Sequence, residues 1–321
     1  MPELPEVQTH AERLEAWLCG AVLRHVSPLA FAALKTYAPP PDAAVGRTLE
    51  SVTRRGKLLV LGFGEVSHVV HLMQGGRLRP DSGRAARPRG GLMRWRFDPA
   101  GEGSGEAAAG GRGSERALVL TEAGTERKAG VWVVAGDPLT QPPLDGLGLE
   151  ADVVEPRELA RLLGARPQRL HTFLRDQRRI AGLGRRLANE VCHRAGLSPF
   201  VTTTALGEAG AARVVEAIRA VVDEGLAFER SREEGEGAAR GRNPRGDPGP
   251  EMSLSKQRPA AVHNRAGEAC PACGDTVRAV SYRDYTVNYC PACQTGGKVL
   301  ADNVYSRLGI EREAQPPRPR R

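Results

Sequence analysis

Aromatic side chains make up only 4% of this 321-residue chain. That scarcity argues against an extended surface on which successive bases of a single strand stack. No apolar run approaches the ~20 residues a helix needs to span a bilayer, so no membrane partner is expected. Residues 1–20 carry acids and lack the apolar stretch of a secretory signal. A cytoplasmic, nucleoid-associated protein is expected. Cysteine is also scarce, with six in the chain. In a reducing compartment these are metal ligands or thiols rather than disulfides.

Positive charge is plentiful. The net charge is +8 and the pI is near 9.5, which favours an anionic partner. An arginine-rich composition spread over a solvated surface gives the same balance. The length allows two domains or three small modules.

Four of the cysteines form Cys270-Pro-Ala-Cys273 and Cys290-Pro-Ala-Cys293, separated by 16 residues. Two such knuckles at this spacing are the pattern of a zinc ribbon. Four thiolates close a tetrahedral structural site, so one structural Zn2+ is expected. Metal then supplies the folding energy that so small a module cannot find in its own core. Cys19 and Cys192 lie on apolar helix faces and read as core residues.

The chain begins Met1-Pro2-Glu3-Leu4-Pro5-Glu6. Removal of Met1 would leave a secondary amine at Pro2. An α-amino group titrates near pH ~7.7–8, so part of it is unprotonated and nucleophilic. Attack on a sugar carbon gives an iminium that acidifies the neighbouring C–H bond. Glu3, next to the amine, is a candidate general acid. The same residues also suit an ordinary helix start, with Pro5 in the first turn.

Val7, Ala11, Leu14 and Leu18 recur at helical spacing and predict a helix over 6–19, stopped by Gly20. Short β-rich runs follow at 22–26, 48–54, 58–63, 66–72, 92–97, 117–121 and 131–135. Their spacing suggests a sandwich or barrel. Residues 98–116 read as a mobile loop. From Pro156 the pattern turns helical. Leu159, Leu162 and Leu163 form one stripe, and Leu170, Phe173 and Leu174 another. Leu187 and Val191, with Cys192 beside them, form a third, and Val214 to Val222 a fourth. Arg178, Arg179, Arg185 and Arg186 flank a glycine turn that opens a helix. Such a turn presents backbone N–H groups to an anion, or is a plain helix–helix connection. Residues 230–260 are poor in apolar groups and read as a disordered linker.

Together these stretches resemble the formamidopyrimidine-DNA glycosylase / endonuclease VIII family. The resemblance rests on the N-terminal Met-Pro-Glu-Leu-Pro-Glu-Val, on Arg54-Arg55-Gly56-Lys57 before an apolar strand, and on His71 to Leu78. It rests further on Leu174 to Gly184 with Asn189-Glu190, and on Val262-His263 leading into the four-cysteine module. It covers most of the chain outside residues 98–116, the linker and the tail. It implies an α+β fold: an N-terminal β-sandwich domain with an N-terminal helix over 1–138, and a helix–two-turn–helix domain over 150–230. A flexible linker over 231–261, a zinc finger over 262–301 and a disordered tail over 302–321 complete the expected plan.

The implied function is base-excision repair: a DNA glycosylase with abasic-site lyase activity. The partner is double-stranded DNA with damaged bases or abasic sites, met by a monomer. The alternative is a non-catalytic relative that binds damaged DNA. The resemblance assigns catalysis to Pro2, Glu3 and Lys57, and DNA contact to Met73, Gln74, Arg127, His171, Arg185, Arg283 and Tyr285. The departures from the family pattern lie among these contacts. Tyr285 stands where the family has a finger arginine, with Arg283 two residues away. Arg185 replaces an asparagine and His171 a lysine. The second wedge loop, Thr121 to Gly130, has no aromatic residue, and Met73 lies one place early, with Gln74 in its usual position.

Overall fold

The computed structural model describes residues 1–81, 85–98, 116–124, 126–232, 258–282 and 285–301. The expected loop 98–116, but for its two ends, lies outside the described residues. So do most of the linker, the tail from 302 onward, and Arg283. The chain divides into two compact units. One is Met1–Leu147 with Gly225–Lys256; the other is Gly148–Glu224 with Gln257–Arg321.

The first unit opens with helix α1, Leu4–Leu18. It begins two residues before the apolar periodicity predicts. Glu3 and Glu6 form a reciprocal capping box, each carboxylate accepting the other residue's backbone N–H, and Pro5 sits in the first turn. Glutamate is not among the favoured cap residues, so the start was hard to read. Val7, Ala11, Leu14 and Leu18 face the core as expected.

Among the described residues eight strands follow: β1 Leu23–Pro28, β2 Ser51–Arg55, β3 Leu58–Phe63, β4 Val66–His71, β5 Gly76–Asp81, β6 Gly91–Phe97, β7 Arg116–Glu122 and β8 Gly130–Ala135. They form two four-stranded antiparallel sheets, ordered β1-β6-β7-β5 and β2-β3-β4-β8. This is the expected sandwich. Strand β3 is buried on both sides. Leu59, Leu61 and Phe63 enter the main core. Leu58 and Val60 point the other way, into a small cluster with Val69, Val134 and Leu144. Alternate residues of a strand face opposite ways, so a strand covered on both faces reads as an unbroken apolar run. Strand β5 was missed in the sequence. Its one large apolar residue is Leu78, and it contains Pro80. Both fit its place at a sheet edge.

The second unit is built differently. A two-residue parallel pair joins β9, Leu149–Glu150, to β10, Ile180–Ala181. Around it lie α2, Pro156–Gly164, α3, Leu170–Arg175, and α4, Arg185–Arg194. Helix α5, Gly207–Ser231, contains the division between units. The unit closes with a hairpin, β11 Arg278–Ser281 and β12 Thr286–Tyr289, and the short α6, Pro291–Thr295. Helix α4 packs on β12 and α6. Leu187, Val191 and Cys192 of α4 are buried, so Cys192 is a core residue as read. In the first unit, Cys19 is only partly buried, at the edge of the core.

Candidate functional site

In the first unit, Pro2 and Glu3 are buried and Met1 stands exposed before them. The Glu3 carboxylate accepts the Glu6 N–H, and Glu6 Oε2 accepts the Glu3 N–H at 3.0 Å. The carboxylate therefore sits where the helix dipole favours an anion. Apolar packing fixes α1 on β2 and β3. Arg54 of β2 adds a bond, its Nε donating to Gln8 Oε1 at 2.9 Å. The N-terminal residues are thus held rather than frayed.

Strand β2 leads into the turn Gly56-Lys57. Gly56 has φ 58°, a region glycine enters without strain. Lys57 is 5% exposed. His71 pairs with Leu58 across the sheet. Burial, and then the Lys57 ammonium, push the His71 imidazole down to about 4. The histidine is neutral at physiological pH and leaves the lysine as the cation. Pro2 and Glu3 at the start of α1, and Lys57 between β2 and β3, therefore all rest on one packed layer, α1 against β2 and β3.

Two loops of the same unit carry predicted contacts. The first is closed by the Gly76 N–H donating to Leu72 O at 2.8 Å. A Cβ at Gly76 would come within 2.3 Å of that oxygen, so glycine is required. Met73 is held at φ 51°, a conformation that costs a non-glycine residue about 1–2 kcal/mol. Met73 is half-buried and Gln74 exposed. In the second loop, buried Glu122 accepts the Ala129 N–H at 2.8 Å. Arg127 and Lys128 are exposed. Lys128 pairs with Glu126 at 3.2 Å, both well exposed, a pair of little energetic weight.

The second unit brings His171, Arg185 and Tyr285 into a different setting. His171, on α3, is 2% exposed, and its Nε2 has no hydrogen-bond partner among the described residues. Burial, then the charge of Arg175, push this imidazole down to about 3. His171 is therefore neutral and cannot supply the charge that a lysine there would bring. Its ring stacks on Tyr285 at 6.3 Å, and Tyr285 stacks on Tyr282 at 4.7 Å. The Arg175 guanidinium lies 4.1 Å over the Tyr285 ring, close enough for cation–π attraction. Arg169 donates to the Tyr282 hydroxyl at 2.5 Å. Arg175 was not singled out in the sequence. It is one arginine among many there, and only the fold seats it on Tyr285.

The glycine turn is pinned by Gln177. Gln177 Oε1 accepts the Gly182 N–H at 3.1 Å, and its Nε2 donates to Leu183 O at 2.7 Å. Arg185 starts α4 and is half-buried. Arg186 Nη2 donates to the carbonyls of Arg258 and Pro259. Glu190 accepts three successive N–H groups, of Ala261, Val262 and His263, at 2.6, 3.0 and 2.8 Å. Asn189 is fully buried and meets His263 Nδ1 at 2.9 Å. These two residues fasten the segment that leads into the finger.

Cys270, Cys273, Cys290 and Cys293 place their sulfurs within 4.8 Å of one another. The Cys273–Cys290 and Cys270–Cys293 pairs stand at 3.3 and 3.9 Å. Sulfurs at about 2.3 Å from a tetrahedral zinc ion would be about 3.8 Å apart, so the donor set fits one such ion. His193 Nε2 lies 3.3 Å from Cys270 Sγ, and a ring N–H there would support a thiolate ligand. His193 carries no spacing signal that would have marked it.

A family model, the formamidopyrimidine-DNA glycosylase N-terminal domain, matches residues 1–108. The formamidopyrimidine-DNA glycosylase of Thermus thermophilus is 34% identical over 302 residues, covering 92% of this chain and 100% of that protein. The crystal structure of MutM (Fpg) from the same species is similar with a TM-score of 0.69 at 30% identity, covering 91% of this chain and 98% of the other. An uncharacterised formamidopyrimidine-DNA glycosylase-like protein of Mycobacterium tuberculosis is 40% identical over 162 residues, 50% of this chain and 93% of that one. A Lactococcus lactis Fpg mutant, solved with Fapy-dG-containing DNA, shares the fold at a TM-score of 0.73 and 20% identity, covering 92% of this chain and all of that one.

Proposed function

Because the chain belongs to the formamidopyrimidine-DNA glycosylase family, we propose that it is a base-excision-repair DNA glycosylase with abasic-site lyase activity. The observation that carries the reading is the buried Pro2 at the start of a capped, packed helix, with Glu3 beside it. A terminal amine must be held still to attack one carbon, and this helix holds it.

The damaged nucleotide leaves the duplex stack and enters the site. With Met1 removed, the Pro2 nitrogen bonds to sugar C1′ as the bond to the base breaks, and the base departs with a proton from water. The Glu3 carboxylate takes the Pro2 N–H proton and passes it to the ring oxygen as the sugar opens, leaving an iminium. The iminium acidifies C2′–H, and loss of that proton expels the 3′ phosphate. Water then hydrolyses the iminium and restores the amine. Lys57 is the cation available to the sugar–phosphate backbone and assists elimination. Arg185 meets a phosphate on the DNA strand, as a full charge at a helix start. The four cysteines hold one zinc ion, which supplies folding energy to the finger. The protein acts as a monomer.

Borohydride trapping on an abasic duplex tests this reading. Covalent capture of the wild-type chain, abolished by an uncleavable N-terminal tag, is expected. Binding to damaged duplex with no capture would make the chain a non-catalytic relative. Full capture with the tag still attached would rule out the Pro2 amine.

A further inference from the structure

The chain holds few aromatic rings, yet two of them stand together on the surface. Phe31 is 71% and Tyr37 69% exposed, the two most exposed large apolar side chains among the described residues. Their rings stack with centroids 5.7 Å apart and an interplanar angle of 28°. Neither ring makes another ring contact among the described residues.

The backbone that presents them is firmly held. The N–H groups of Leu29 and Ala30 both donate to Leu92 O, at 3.0 and 3.1 Å. Ala33 is buried in the sandwich core. Residues 34–36 run beside β8: Lys35 N–H donates to Val131 O at 2.9 Å. Thr36 Oγ1 donates to Val133 O at 3.1 Å and accepts the Val133 N–H at 2.7 Å. Phe31 and Tyr37 thus stand on either side of a clamped segment. That segment positions the exposed rings while leaving them out of the core.

The surroundings are cationic. Lys35 is exposed and its stem lies against Gly130, where an added Cβ would fall 2.3 Å from Lys35 Cε. Gly130 ends the second loop, with Arg127 and Lys128 exposed just before it. Among the loop's described residues, Glu126 is the exposed acid and pairs with Lys128, while Glu122 is buried and accepts the Ala129 N–H. Lys35 Nζ donates to Ala32 O at 2.7 Å, which holds its ammonium beside the rings. An exposed pair of rings flanked by cations fits an unpaired nucleobase, stacked on a ring, with its phosphates on the cations.

We propose that Phe31 and Tyr37, with Lys35, Arg127 and Lys128, form a stacking site for an unpaired base in single-stranded DNA continuous with the damaged duplex. The 4% aromatic content excludes an extended platform, but a platform one base long needs only these two rings. The proposal rests on DNA being the partner, as argued above.

The test uses the full chain and two duplexes with the same abasic site. One is blunt; the other carries a single-stranded extension of about ten nucleotides, within the span such sites cover, that includes 2-aminopurine. The wild-type chain is expected to bind the extended duplex on the order of tenfold more tightly and to change the 2-aminopurine emission. Phe31→Ala with Tyr37→Ala should lose both effects while trapping the blunt duplex at the wild-type rate. Phe31→Tyr with Tyr37→Phe should keep both. An unchanged preference in the double alanine variant overturns the site. So does wild-type trapping of the blunt duplex with no preference for the extension. No trapping, with the preference intact, overturns the enzymatic reading alone.

Discussion

The N-terminal site and the face around Tyr285 are both built from half-buried or buried polar side chains, but they treat charge in opposite ways. At the first, Glu3 is held at a helix start and Lys57 remains the cation beside a neutral His71. At the second, His171, which stands where the resemblance implies a lysine, is buried and neutral. The cation comes instead from Arg175, lying over Tyr285. Reaction chemistry fixes the identity of the attacking amine and the acid next to it. A phosphate is satisfied by any guanidinium within reach. In this chain the cation near Tyr285 therefore sits on Arg175 rather than on residue 171.

The largest effect separates the two units by metal. Chelation, or Cys290→Ser, should unfold the finger and weaken DNA binding at least a hundredfold, since structural zinc contributes about 10–16 kcal/mol in small modules. All three tryptophans, Trp17, Trp95 and Trp132, belong to the first unit. Their emission should stay native during chelation. A red shift on metal removal would show that the first unit depends on the finger.

Acid should act on the first unit. His10, His68 and His71 are each pushed down to about 4, by burial before any other cause. Their unfolded pKa is near 6.5, so the unfolded chain binds more protons between these values. Stability is then complete above about pH 6.5 and is lost as pH falls toward 4. Urea midpoints followed by tryptophan emission should drop by several kcal/mol equivalents across that window. A flat profile would mean the imidazoles are hydrated.

Lesion preference tests the loops. Opening a base from its stack costs about a few kcal/mol. The second loop offers Arg127 and Lys128 with no ring, and Met73 is half-buried. Abasic-site cleavage should exceed excision of 8-oxoguanine opposite cytosine by about tenfold or more, a gap of the size that cost sets. Equal rates on one gel would show that other residues open the stack.

The smallest effect sharpens the comparison most. Arg175→Ala and Arg185→Ala should each lower the salt slope of DNA binding by about one. His171→Ala should leave it unchanged, because that side chain is neutral. A reduced slope for His171→Ala would return the charge to that position.

Much of the fold was legible because it rests on periodicity and spacing. Strand β3 showed as an apolar run, and the four cysteines showed by their intervals. Strand β5 did not, since an edge strand with one leucine and a proline carries almost no pattern. The capping box was hidden because its cap is a glutamate. The charge on Tyr285 was illegible for a different reason. Arg175 lies 110 positions away in a chain rich in arginine, and only tertiary packing selects it. The exposed pair Phe31 and Tyr37 was masked by a composition that averages aromatic content over the whole chain.

The grip of Glu190 on residues 261–263 bears on protein engineering. A finger cut out at its boundaries and grafted elsewhere would leave three amide hydrogens without their acceptor. It would also lose the Gln294 bond to Leu197 O and the His193 contact to Cys270. The transplantable part is therefore the finger together with residues 185–197. A chimera that carries both across should keep its metal, and one that carries the cysteines alone should shed it.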